Sequence, residues 1–196
     1  MTPIQYIMRS RDVSSALTSG CHWIQTTDAP STDLLTECHD AGCYLVLTDD
    51  VELCKALPAD GVVLTAKSIA ALAAAEPEPT GIVLQRPLPV TIAIAAARRT
   101  LGEDTPQMIG VVVATPADAV AAAKAGADFL QVAADASVEL LQAVRERSFT
   151  TPIVALGVND AAQIAPLLDA GVSGMACTIA DVPPILFPSF LTADEA

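Results

Sequence analysis

The sequence has few aromatic rings and little positive charge. Phe, Trp and Tyr make up 4% of the 196 residues, and 10 Lys and Arg stand against 23 Asp and Glu, for a formal net charge of −13. A nucleic-acid interface needs cations for the phosphates and rings for stacked bases, so nucleic acid is not an expected partner. The same charge offers no basic anchor for an anionic membrane surface.

Long apolar runs are also missing. No stretch approaches the length of a membrane span, and the first residues, MTPIQYIMRSRD, lack the apolar core of a signal peptide. We therefore expect no membrane association and a cytoplasmic location.

The cysteines form no paired CxxC motif, and their number, five, is odd. This pattern favours buried reduced thiols over disulfides. The dipeptides Cys21-His22 and Cys38-His39 could suggest zinc, but their flanks predict a strand for one and a helix for the other. A shared zinc site is therefore not expected.

What the sequence does have is apolar residues, 52% of the chain, many of them alanine. This composition excludes disorder and is typical of strands buried on both faces by closely packed helices. No linker interrupts the chain, so we predict one domain over 1–196.

One unit repeats along the chain: a helical stretch ends on glycine, and a short β-branched run follows. Examples are Gly42 before CYLVLT, Gly126 before ADFLQVA and Gly171 before VSGMACT. Strands that alternate with helices pair in parallel, and this predicts an α/β barrel of the TIM type, (β/α)8. Nine strands are predicted, at 5–8, 22–26, 44–48, 62–65, 82–85, 108–113, 129–133, 153–157 and 174–178. One is surplus, and we expect an extra strand or an insertion within 66–88.

The segment from Cys38 to Leu64, CHDAGCYLVLTDDVELCKALPADGVVL, resembles the thiamine phosphate synthase/TenI family. So do the later segments AAARRTLGEDTPQMIGVVV, AAKAGADFLQVA, TPIVALGV and DAGVSGMACTI, in the same order. The resemblance implies an eight-stranded barrel with its site at the carboxyl ends of the strands. It also implies a magnesium-assisted reaction that joins a hydroxymethylpyrimidine diphosphate to a thiazole phosphate.

Only part of the site implied by this resemblance is present. Gln25 keeps the glutamine of the second strand, but the two cations that follow it in the family pattern are absent from Thr26-Thr27-Asp28-Ala29 and the residues after it. Asp49 keeps a magnesium-ligand position, whereas Asp50 replaces an arginine, and the second ligand position falls near Ser68. A diphosphate would be poorly compensated in so acidic a chain, so full synthase activity is not expected. We predict Gln25 and Asp49 as catalytic residues, and Asp49 as the candidate Mg²⁺ ligand.

A second part of the site has the residue types of a phosphate-binding turn. Gly157, Val158 and Asn159 follow a strand and open a helix, so their backbone N–H groups could face an anion. Thr178 and Ile179 follow the next strand. These five residues are the predicted phosphate site, although Gly157 could serve only a tight turn and Asn159 only a helix cap.

Three hypotheses remain open. The first is a binder or isomerase of a thiazole phosphate, with a phosphorylated small molecule as partner and a homo-oligomer compatible with the sequence. The second is a non-catalytic family member with a regulatory or partner-binding role. The third is another phosphate-binding barrel enzyme, an epimerase or a lyase, with Asp49 as the base.

Overall fold

The computed structural model describes residues 5–9, 21–77, 87–102, 105–135, 138–147, 150–158 and 160–178. Eight parallel strands form a closed barrel in chain order, because β1 pairs with both β2 and β8. Their bounds are β1 Gln5–Arg9, β2 Trp23–Thr26, β3 Tyr44–Thr48, β4 Gly61–Leu64, β5 Met108–Val112, β6 Phe129–Ala133, β7 Ile153–Leu156 and β8 Gly174–Thr178. The predicted (β/α)8 barrel is confirmed.

Helices follow most of the strands and cover the outside of the barrel. They are α1 Thr32–Asp40, α2 Val51–Ala56, α3 Ala66–Ala75, α4 Pro89–Leu101, α5 Pro116–Lys124, α6 Val138–Arg147 and, after a 3-10 turn at Ala161–Gln163, α7 Ile164–Asp169. Two of them, α3 and α4, lie between β4 and β5. The surplus strand predicted at 82–85 lies outside the described residues, and the barrel closes without it.

The interior of the barrel holds a small apolar layer. Val46, Val63, Phe129, Val154 and Ala176 form one buried cluster there, separate from the larger core between strands and helices. Gly110 of β5 makes room for the Phe129 ring, since a Cβ at Gly110 would lie 2.2 Å from Cζ of Phe129. This layer separates the two ends of the barrel.

Most of the described cations lie at the amino-end side of the barrel. Lys55, Arg98 and Lys124 stand in the last turns of α2, α4 and α5, where a positive charge is favoured by the helix dipole. Arg98 donates to Gln107 O at 2.8 Å and also binds Asp128, which precedes β6. Little positive charge is therefore left for the opposite end, where barrel sites are normally built.

All five cysteines are among the described residues, and each is a buried thiol, as predicted. Within the described part of the chain, no helix has the length and apolar character needed to cross a membrane.

Candidate functional site at the carboxyl ends of the strands

A chain of amide hydrogen bonds crosses the barrel at the carboxyl ends of the strands. Gln131 of β6 donates from Nε2 to Oε1 of Gln25 of β2 at 2.8 Å, and Gln25 Nε2 donates to Oγ1 of Thr48 at 3.1 Å. Gln25 is 3% exposed and Gln131 is fully buried. Because β2 and β6 lie on opposite sides of an eight-stranded barrel, this contact spans its interior.

This series of hydrogen bonds ends at an unpaired side-chain atom of Gln131. Gln131 Oε1 is buried and, within the part of the chain that the structure describes, has no hydrogen-bond partner. If both amides were reversed, the open acceptor would simply become an open donor, so either orientation leaves one polar atom of Gln131 unpaired. Leaving such an atom buried costs about 1–3 kcal/mol, which a ligand that supplies the missing partner would recover.

Gln131 is the site residue that sequence reasoning missed. It stands two residues after Phe129 in an otherwise apolar strand, and alternation along a strand places both side chains on the same face. That face is the barrel interior, where Phe129 packs. A buried glutamine in a run of apolar residues was the available signal.

Asp49 lies at the end of β3 in a left-handed conformation, with φ +66°. Its Oδ1 accepts from the backbone N–H of Thr65, and its Oδ2 accepts from the Thr65 hydroxyl, both at 2.8 Å. The carboxylate therefore ties the end of β3 to the start of α3. Its neighbour Asp50 caps α2 by accepting from Leu53 N at 2.9 Å.

The side-chain oxygens of Asp49 and Ser68 do not fit the magnesium site that the family resemblance implies. Mg²⁺ is held by oxygen ligands in near-octahedral geometry, usually through one or two carboxylates together with waters and substrate phosphates. Both oxygens of Asp49 already accept hydrogen bonds, and the Ser68 hydroxyl donates to Thr65 O at 3.2 Å. Among the described residues, no group of three or more His, Cys, Asp or Glu could hold a metal.

The predicted phosphate turn uses its described N–H groups internally. Gly157 has φ +76°, and its N–H donates to Ala176 O at 2.8 Å; the N–H of Val158 donates to the same oxygen at 3.2 Å. The Asp160 carboxylate then accepts from Ala162 N at 2.9 Å, which places a negative charge at the following turn. Asn159, Ile179 and the side chain of Thr178 lie outside what the structure describes.

Within the described part of the chain, two residues of cationic type lie on the carboxyl-end side of the barrel: Arg9, of which only the backbone is described, and Lys67. The Cα of Arg9, the last residue of β1, is the register partner of both Gln25 and Thr178. Lys67 is exposed near the start of α3. Both were overlooked in the sequence because neither occupies one of the cation positions implied by the resemblance.

Comparison with known proteins gives a consistent relationship, although no family model matches the sequence. The chain is 26% identical over 208 residues to a thiamine-phosphate synthase of Bacteroides thetaiotaomicron, covering 90% of this chain and 88% of that protein. It is 29% identical over 187 residues to the thiamine-phosphate synthase of Natronomonas pharaonis, covering 84% and 75%. The fold is similar to that of a thiamine phosphate pyrophosphorylase from Pyrococcus furiosus, with a TM-score of 0.65, 24% identity and coverage of 90% and 86%.

Proposed function

Because the chain is a relative of the thiamine phosphate synthase/TenI family, we propose that it binds a thiazole phosphate without joining it to a pyrimidine diphosphate. The observation that carries this proposal is the open, buried polar atom of Gln131 at the carboxyl ends of the strands. Pockets for small molecules combine apolar walls with a few well-placed polar groups, and the Gln25–Gln131 pair is such a group.

Charge supports a monophosphate over a diphosphate. Among the residues whose side chains the structure describes, Lys67 is the cation on this side of the barrel, while Asp49 and Asp160 are acidic. A departing pyrophosphate develops several negative charges that need metal or cationic partners. One described lysine gives a diphosphate little charge compensation, and the described oxygens are poorly suited to Mg²⁺.

Within this proposal, a binder is favoured over an isomerase. Moving a proton between ring positions requires a group that can accept and release it. The amides of Gln25 and Gln131 are not bases at neutral pH, and each Asp49 oxygen already accepts from Thr65. A ligand would be held and oriented here with no base ready to act on it.

Calorimetric titration tests the proposal. Thiazole phosphate should bind the wild type, and Gln131→Leu should weaken binding about five- to tenfold because the open polar atom is removed. Gln142→Leu on α6 is the matched control, since Gln142 is exposed on an outer helix and not in the barrel interior. No binding of thiazole phosphate, or equal binding by Gln131→Leu, contradicts the proposal.

A turnover assay tests the second part of the proposal, that the protein does not join thiazole phosphate to the pyrimidine diphosphate. With thiazole phosphate, the pyrimidine diphosphate and Mg²⁺ supplied together, we expect no thiamine phosphate above the uncatalysed background. Formation of that product, with loss of the activity in Asp49→Asn, would instead establish a synthase.

One observation favours the non-catalytic hypothesis as the second candidate. Both Asp49 oxygens and the N–H groups of Gly157 and Val158 are bonded within the protein, so these predicted site atoms are already satisfied. A chain that binds neither substrate would fit a regulatory or partner-binding role. The lyase alternative lacks a strand-end lysine for a Schiff base, since Lys55, Lys67 and Lys124 lie on helices.

A further inference from the structure

A cavity of about 810 Å³ opens at the amino ends of the strands, opposite the Gln25–Gln131 pair. Its walls come from the first residues of β2, β3 and β5 and from the loops that precede β4 and β5. The residues that decide its chemistry are Trp23, Tyr44, Lys55, Asp60, Thr105 and Gln107. The volume lies within the range of small-molecule sites.

Aromatic rings form one wall of this cavity. The centroids of Trp23 and Tyr44 lie 6.1 Å apart at an interplanar angle of 77°, and Trp23 meets Phe129 edge-on at 5.1 Å. Phe129 holds the Trp23 ring from the barrel interior, whereas Tyr44 is 51% exposed. The wall is therefore fixed on its inner side and accessible on its outer side, which suits a planar ligand.

Two polar groups of the wall are already committed to the fold. Gln107 Nε2 donates to the carbonyl oxygens of Cys54 and Ala59, at 2.8 and 2.9 Å. Asp60 Oδ2 accepts from Leu45 N at 2.7 Å and is 3.0 Å from His39 Nε2. Neither group needs a ligand to satisfy it.

Two other polar groups of the wall remain open. Thr105 Oγ1 is buried without a hydrogen-bond partner. Lys55 is exposed in the last turn of α2, and among the described residues no carboxylate lies within ion-pair distance of it. Because the Thr105 hydroxyl oxygen is itself buried, the cavity offers a ligand its rings and one cation.

We propose that this cavity is a binding site for a planar aromatic carboxylate. The ring would pack on Trp23 and Tyr44, and the carboxylate would face Lys55. An anionic group is favoured because Lys55 is the exposed cation among the wall residues, while the Asp60 carboxylate is already hydrogen-bonded to His39 and to the N–H of Leu45. The site is independent of the thiazole phosphate proposal, because the apolar layer around Phe129 lies between the two ends.

The single tryptophan makes the test direct. Trp23 is the only Trp in the chain, so its emission reports from this cavity. The full chain would be titrated with benzoate and, separately, with uncharged benzyl alcohol, following the Trp23 emission and the heat of binding. Benzoate should give a saturable signal and bind at least about threefold more tightly than benzyl alcohol, the range expected for one exposed ion pair.

Variants separate the contributions of charge and ring. Lys55→Met should weaken benzoate about threefold and leave benzyl alcohol unchanged, whereas Tyr44→Ala should weaken both; both side chains are exposed, so the fold should be retained. Lys124→Met on α5 is the matched control for charge, and Gln142→Leu on α6 is the control outside the cavity; neither should change benzoate binding. No saturable signal, or benzoate affinity unaffected by Lys55→Met, would overturn the proposal.

Discussion

Gln131 of β6 and Gln25 of β2 meet across the barrel through an Nε2–Oε1 hydrogen bond of 2.8 Å, and both side chains are buried. Buried amides cost free energy unless each polar atom is paired, and here one atom of Gln131 is not. The unpaired atom of Gln131 therefore lowers the stability of the folded protein. Sites of this kind, where local stability is given up, are typical places for ligands to bind.

The cost of the pair can be measured by removing one or both amides. Gln25→Met alone should lower the free energy of unfolding by about 1–3 kcal/mol, because Gln131 then loses its partner while still buried. The double variant Gln25→Met, Gln131→Met should be at least as stable as the wild type, since no unpaired amide remains in the barrel. Chemical denaturation gives both values, and a double variant less stable than Gln25→Met would contradict this explanation.

Asp49 should matter more for stability than Asp50. Asp49→Ala removes both bonds from Thr65 and puts alanine at φ +66°, which should lower the free energy of unfolding by about 2–4 kcal/mol. Asp49→Asn keeps one acceptor and tolerates the left-handed backbone, so its loss should be smaller. Asp50→Ala, which removes only a helix cap, is the comparison and should cost about 1 kcal/mol. Equal losses in the free energy of unfolding for Asp49→Ala and Asp50→Ala would contradict a stabilising role for the Asp49–Thr65 hydrogen bonds.

The packing of Phe129 on Gly110 predicts a strong coupling between these positions. Gly110→Ala would place Cβ 2.2 Å from Phe129 Cζ and should destabilise the barrel by about 1–3 kcal/mol or more. Phe129→Leu leaves room for that methyl group, so the double variant should lose less than the two single changes added together. A double-mutant cycle from denaturation curves measures the coupling, and simple additivity would show that the ring can move aside.

Two buried thiols predict how stability depends on alkaline pH. Burial raises the pKa of Cys54 from the ordinary 9.0 of a thiol to about 12, and that of Cys38 to about 11. The unfolded chain therefore releases these protons first, and the stability they contribute, complete below about pH 9, is lost as the pH rises toward 11 and 12. Denaturation midpoints from pH 8 upward should fall, with a shallower slope in Cys54→Ala than in the wild type. Parallel slopes for the two proteins would contradict the prediction.

Much of the barrel could be predicted from the sequence because its signals are local. The strand at 44–48 and those at 129–133 and 174–178 have the predicted bounds. The start of α5 at Thr115-Pro116 is an equally local signal, since the Thr115 hydroxyl accepts from Asp118 N at 3.1 Å. Caps, turns and β-branched runs act within a few residues, so they are readable without the fold.

The site was harder to predict because its bonds join distant segments. Residues 25 and 131 are 106 positions apart, and their pairing depends on the closure of the barrel. The sequence predicts an Asp49 carboxylate that binds a metal, yet Thr65, which follows the next strand, donates a hydrogen bond to each of its oxygens. The N–H groups of Gly157 and Val158 turn toward Ala176 O of β8 for the same reason. Residue type indicated the positions, and tertiary contacts decided what each group was free to do.

The Phe129 ring, which packs over Gly110, blocks the middle of the barrel. A molecule that enters at the strands' carboxyl ends meets this wall, and so does one that enters beside Trp23 and Tyr44. The interior of the barrel is therefore divided into two shallow regions, one at each end, and does not form one continuous channel. Each region can bind a ligand through its own residues, so substitutions that accumulate in one region need not alter binding in the other.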